Sequence, residues 1–74
     1  MRLAAEERHL RLADDHLAKA DLRIQAQEER IQEMERDGLD AQESLKPLTI
    51  LRETRRLMEN HREQILEAIA KQTR

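Results

Sequence analysis

The chain has 74 residues, which is enough for one small domain only. Charged residues make up 41% of it, and one glycine and one proline are too few turn residues for a β-rich fold. A net charge of −2 and the absence of aromatic side chains argue against nucleic-acid binding, and no apolar run suits a membrane span or a secretory signal. We expect a cytoplasmic protein and, from the initial methionine, a complete chain.

The first half of the chain carries a strict heptad repeat, which predicts a coiled-coil helix over residues 2–37. Every seventh residue is aliphatic, at the a positions Leu3, Leu10, Leu17, Ile24 and Ile31. The e positions are all acidic, and the g positions are all arginine or histidine. Opposite charges on the two flanks of an apolar seam are typical of a helix that packs along another helix. The small residues Ala13 and Ala20 at position d favour a close approach.

A turn over residues 38–40 is predicted next. Gly38 is the only glycine and suits the left-handed conformation that ends a helix, with Leu39 placed to touch Met34 in a Schellman motif. Asp40 and Glu43 have the spacing of a capping box, so we expect a second helix to begin at once.

The second helix is predicted over residues 41–72. Its apolar stripe consists of Leu45, Leu48, Leu51, Met58, Ile65 and Ile69, and the remaining core-facing positions are Thr54, His61 and Ala68. Pro47 is unfavourable inside a helix. We favour one helix with a kink at this proline, and the alternative is that the regular helix starts nearer Ser44.

The two predicted helices match in length and in their apolar layers. If the chain folds back at Gly38, residue i faces about residue 76 minus i. This register sets three a positions of the first helix against apolar residues of the second, in the pairs Leu10–Ile65, Leu17–Met58 and Ile24–Leu51. With Ile31, these are the residues that we expect to hold an all-α, antiparallel two-helix hairpin together as a single domain.

A second apolar stripe predicts association. Ile50 and Leu57 lie beside the seam, one heptad apart, and a lone hairpin has a marginal core. We expect two hairpins to pair as a homodimeric four-helix bundle. The alternative is a regulator that binds a helix of another protein through Ile50 and Leu57.

Other constellations are weak. Glu6 and His9 have the spacing of a di-iron ligand pair, and His16 and His61 lie near one level of the hairpin, so a metal-binding bundle is a further alternative. We prefer solvated or hydrogen-bonded histidines and expect no metal or other cofactor. His61, near core depth, is a hypothetical pH switch.

A basic cluster lies on the second helix, at Arg52, Arg55, Arg56 and Arg62. It either receives an acidic partner or forms part of a solvated mixed-charge face, and the interleaved glutamates favour the second interpretation. No catalytic motif is present, and a two-helix rod offers no pocket for a small-molecule substrate.

The chain resembles a group of short uncharacterised proteins of soil-dwelling proteobacteria. The resemblance covers roughly residues 16–67 and rests on three motifs: His16-Leu17-x-x-Ala20-Asp21, Arg36-Asp37-Gly38-x-Asp40 and Leu57-Met58-x-x-His61-Arg62-x-x-Ile65-Leu66. It implies a helical hairpin without an established activity, from which Pro47 departs. We therefore expect a structural or protein-interaction module rather than an enzyme.

Overall fold

Two long helices and a short turn make up the structure, a computed structural model that describes residues 2–73 and the side chains of residues 4–73. Helix α1 spans Arg2–Arg36 and helix α2 spans Gln42–Gln72. They run antiparallel as a hairpin with extents of 57 × 14 × 13 Å, which confirms the predicted fold class. Each helix boundary at the turn lies one residue from its predicted position. The seam position predicted for Leu3 lies outside the described side chains.

The turn has the predicted Schellman geometry. Gly38 has a φ of 72°, in the left-handed region that side chains disfavour. The amide of Leu39 donates to the carbonyl of Met34 at 2.8 Å, and the amide of Gly38 donates to that of Glu35 at 3.1 Å. These are the two hydrogen bonds that define the motif. The turn therefore satisfies the last carbonyls of α1 while it reverses the chain.

The predicted capping box is wrong. Ala41 is the N-cap residue of α2 and has no side-chain capping bond. The carboxylate of Asp40 instead accepts from the amide of Gln42 at 3.0 Å. Glu43 pairs with Lys46 rather than reaching back to Asp40. Asp40 therefore forms an Asp turn just before the helix, and the expected return contact from Glu43 is absent.

Helix α2 begins at Gln42, two residues before Ser44, and Pro47 lies inside it. Proline removes one backbone hydrogen bond in this part of the helix. Two contacts from α1 stabilise the turn that precedes it: Gln27 Nε2 donates to the carbonyl oxygen of Ser44 at 2.8 Å, and Ser44 Oγ lies 3.4 Å from the sulfur of Met34. The kink at Pro47 stays a prediction.

The core is small and aliphatic. Its buried side chains are Ala13, Ala20, Ile31, Ala41, Leu48 and Ile65. Ile31, Ala41 and Leu48 form one cluster near the turn, against which Ile24 and Met34 pack. Half of the buried residues are alanines, as expected where two helices approach closely. Neither described helix contains an apolar stretch that could cross a bilayer.

Three residues assigned to the core from the sequence are exposed: Leu45, Thr54 and His61. In α2 the buried and half-buried positions recur at heptad spacing from Ala41 and from Ser44. The series that starts at Ala41 includes Arg55 and Arg62, whose side chains are only about a third exposed. Long arginine stems therefore occupy places along the seam that an apolar stripe was expected to fill.

The core assignment predicts the effect of truncating Leu48, which is 5% exposed. We expect Leu48→Ala to lower the free energy of unfolding by about 2–5 kcal/mol, because it leaves a cavity in the main cluster. Leu22→Ala is the matched control, since Leu22 is 66% exposed, and we expect a change within about 0.5 kcal/mol. Urea unfolding followed by circular dichroism measures both. Equal effects would contradict the assignment.

The turn geometry predicts that Gly38→Ala destabilises the hairpin by about 1–2 kcal/mol, the cost of a left-handed L-residue. Nothing lies within 4 Å of an added Cβ, so the cost is purely conformational. Gly38→Asn, which tolerates this conformation better, is expected to lose less. The same unfolding experiment separates the two variants, and an alanine variant as stable as wild type would rule out the left-handed turn.

Candidate interaction surface

Three ion pairs cross from α1 to α2 along one edge of the hairpin, which we call the closed edge. They join Asp14 to Arg62 at 2.6 Å, Asp21 to Arg55 at 2.5 Å and Glu28 to Arg52 at 3.0 Å. The three acids are consecutive e positions of the α1 heptad. The first two pairs match the predicted register, in which residue i faces about residue 76 minus i, and the third is one turn away.

The closed edge uses the arginines of the basic cluster. A hydrogen bond from Arg62 to Asp14, and then the charge of that carboxylate, raise the pKa of Arg62 above its ordinary value. Hydrogen bonds to Asp21 and to Glu59 likewise raise the pKa of Arg55. Arg56 pairs with Glu53 on its own helix. These cations are engaged within the hairpin, as the mixed-charge interpretation holds. Each cross-seam pair has a carboxylate about half exposed to solvent, so we expect it to contribute little to stability.

The opposite edge of the seam is open. A shallow groove of about 130 Å³ runs between the helices there, lined by His16, Lys19, Ala20, Arg23, Leu51, Thr54 and Met58. Its floor is apolar, and its α1 wall carries the positive charges of Lys19 and Arg23. No ion pair crosses the seam here among the described side chains.

Exposed aliphatic side chains continue the groove outward. Ile50 and Leu57 are 65% and 66% exposed. They lie four residues before and three residues after Thr54, hence on the same side of α2 as this groove residue. Leu12 of α1 is also exposed and lies four residues before the groove residue His16. The groove with Leu12, Ile50 and Leu57, and with the in-register positions Arg30 and His61, is called the open face below.

The groove lining and its heptad positions carry no carboxylate, although Glu53 lies one turn from Ile50 and from Leu57 and pairs with Arg56. Within residues 12–30 and 50–61, no Asp or Glu occupies a heptad position shared with the groove lining. Asp15 lies just outside and pairs with Lys19 at 2.9 Å. The hydrogen bond and charge of Lys19, with a smaller effect of His16, lower the pKa of Asp15. Arg23 and Arg30 have no ion-pair partner among the described side chains.

The seven seam residues predicted from the sequence lie at the helix–helix contact side of the hairpin, buried at Ile31 and Ile65 and half-buried at Leu10, Leu17, Ile24, Leu51 and Met58. Only Leu51 and Met58 line the groove as well. Sequence reasoning missed Lys19, Ala20, Arg23 and Thr54 as a group. The available signal was the row of basic g positions on α1, which line the groove at His16 and Arg23 and make no ion pair across the seam among the described side chains.

The histidines do not form the arrangement considered from the sequence. His61 is exposed rather than near core depth, which removes the basis for a buried switch. His16 lines the groove, and His9 is exposed beside a half-buried Glu6. Across the described part of the chain, no three His, Asp or Glu side chains are grouped so that they could hold a metal ion.

The closed edge predicts a charge-swap effect at its simplest pair. We expect Asp14→Arg or Arg62→Glu alone to lower Tm, because like charges then meet across the seam, and the double variant to recover most of the loss. Thermal unfolding at low and high salt measures the coupling, which salt is expected to reduce. A swap within the intrahelical pair Glu53–Arg56 is the control. Additive single effects at low salt would contradict the pairing.

Comparisons with known proteins assign no function to this surface. No family model, curated protein or solved structure matches the chain. The resemblance to short proteobacterial hairpin proteins therefore stays a prediction, and the function is argued from the open face alone.

Proposed function

We propose that this protein is a structural or protein-interaction module that binds a helix of a partner protein on its open face. The observation that carries this proposal is the pair Ile50 and Leu57, one heptad apart, exposed, and adjacent to an apolar groove. Helix-in-groove binding uses apolar anchors at this kind of spacing. The proposal keeps the cytoplasmic location that the composition suggests.

The energetics of these two side chains support binding rather than folding. Each is about two-thirds exposed, so neither contributes much to the hairpin itself. Covering the remaining surface would contribute about 1–2 kcal/mol for each side chain. The groove floor at Leu51 and Met58 would add apolar area to the same interface. The role is binding rather than catalysis, since the groove is a shallow channel along two helices.

Self-association is the second candidate, and the small core favours it. Six side chains are buried, three of them alanines. A second hairpin on the open face would make the homodimeric four-helix bundle expected from the sequence and would enlarge the core. The two candidates share one surface and differ only in what covers it.

The test uses Ile50→Gln/Leu57→Gln, with Leu22→Gln as the matched control because Leu22 is equally exposed on the outer side of α1. Sedimentation velocity gives the mass of each protein, and a photo-cross-linking residue at position 54 captures partners in extracts of the cells that express it. We expect the double variant to lose the cross-linked species that wild type and Leu22→Gln retain.

Two results would decide against the first candidate. A concentration-dependent wild-type dimer that only the double variant dissociates would establish the self-associating form. A monomer that cross-links equally well with and without Ile50 and Leu57 would show that these two residues do not anchor a partner.

A further inference from the structure

The two edges of the hairpin treat charge in opposite ways. On the closed edge, three α1 carboxylates neutralise three α2 arginines. On the open face, Arg23 and Arg30 extend along α1 without an ion-pair partner among the described side chains. Glu53 is level with Arg23 in the register but pairs with Arg56 on its own helix. Acids nevertheless outnumber bases in the chain, 16 to 14. The open face is therefore cationic on a protein whose net charge is negative.

The shape of the open face is that of a helix-binding groove. The hollow of about 130 Å³ between Ala20, Leu51 and Met58 has room for an aliphatic side chain, as a hole receives a knob in a coiled coil. Lys19 and Arg23 line its α1 side and Thr54 its α2 side, and the exposed Ile50 and Leu57 lie one helical turn from Thr54. A ligand that fits both sides needs an apolar ridge with negative charge along one flank.

We infer that the open face binds an acidic amphipathic helix of another protein, with the apolar ridge of that helix in the groove and its Asp or Glu residues along Arg23 and Arg30. This inference rests on the proposed function and names the partner. The exposed pair Lys19–Asp15 can exchange its carboxylate for one of the partner, because such pairs contribute little stability.

Charge, shape and apolar contact argue against three other occupants of the open face: a second copy, a lipid surface and a nucleic acid. A second copy would bring the same cationic groove against this one, so Lys19, Arg23 and Arg30 would meet like charges rather than a row of acids. A flat anionic lipid surface does not reach the floor of a groove. A nucleic-acid backbone offers phosphates for the arginines but leaves Ile50, Leu57 and Met58 without apolar contacts.

The experiment uses two three-heptad synthetic peptides with the same leucine seam, one flanked by glutamate and the other by lysine. Each is titrated into the full chain labelled with ¹³C at the methionine methyl groups. Met58 lies in the groove floor, whereas Met34 packs near the turn and serves as the internal reference. We expect the glutamate peptide to shift the Met58 signal and leave Met34 unchanged, with an affinity at least about tenfold above that of the lysine peptide.

Matched variants separate charge from apolar contact. Arg23→Glu/Arg30→Glu is expected to weaken binding of the glutamate peptide by about tenfold, which corresponds to two exposed ion pairs. Arg36→Glu/Arg56→Glu makes the same change in net charge at two arginines outside the open face and is expected to have little effect. Circular dichroism of both variants establishes that the hairpin remains folded.

The outcomes distinguish this inference from the proposed function. Equal Met58 shifts with both peptides, or equal effects of the two arginine variants, would overturn the acidic partner and leave helix binding intact. No Met58 shift with either peptide would overturn both. A wild-type dimer that buries Met58, or a larger Met58 shift with phosphatidylglycerol vesicles or duplex DNA, would assign the open face to a second copy, a lipid surface or nucleic acid instead.

Discussion

The close, in-register packing of α1 against α2 is the constraint on which the remaining structure depends. Alanines at Ala13 and Ala20 bring the helices together, and the left-handed Gly38 reverses the chain in a few residues. Once that register is set, the acidic e positions of α1 lie level with arginines of α2. The ion pairs of the closed edge are thus a consequence of the seam, and they penalise a shift of one helix along the other.

Two helices cannot enclose the seam between them, so each edge of the seam meets solvent and needs its own side-chain cover. The closed edge is covered by paired charges and by arginine stems that lie over the half-buried residues. The open face lacks such cover: Leu51 and Met58 line its groove, and no ion pair of its cations crosses the seam among the described side chains. The difference between the two edges, rather than any single side chain, supports a binding role.

The strict heptad of α1 made the hairpin and its register predictable, because its apolar a positions and its charged e and g positions repeat with the same period of seven residues. The lone Gly38 made the turn predictable. Helix α2 was harder, since its apolar residues do not coincide with its seam. Arg55 and Arg62 occupy seam positions through their stems, so a stripe drawn through aliphatic residues placed Leu45, Thr54 and His61 too deep. Asp40 was misassigned because Asp serves an isolated turn as well as a capping box. The groove required both helices at once and was not visible in either repeat alone.

Hairpin packing and the proposed binding surface use largely different heptad positions of the same two helices. The a, d and e residues of α1 determine how the hairpin packs. The positive charges of the open face come from Arg23 and Arg30 at position g and from Lys19, which precedes Ala20 of position d. Substitutions at Arg23, Arg30, Ile50 or Leu57 therefore leave the hairpin's own core untouched. The surface chemistry of such a hairpin can therefore be altered separately from its packing, which makes it a compact starting point for engineering.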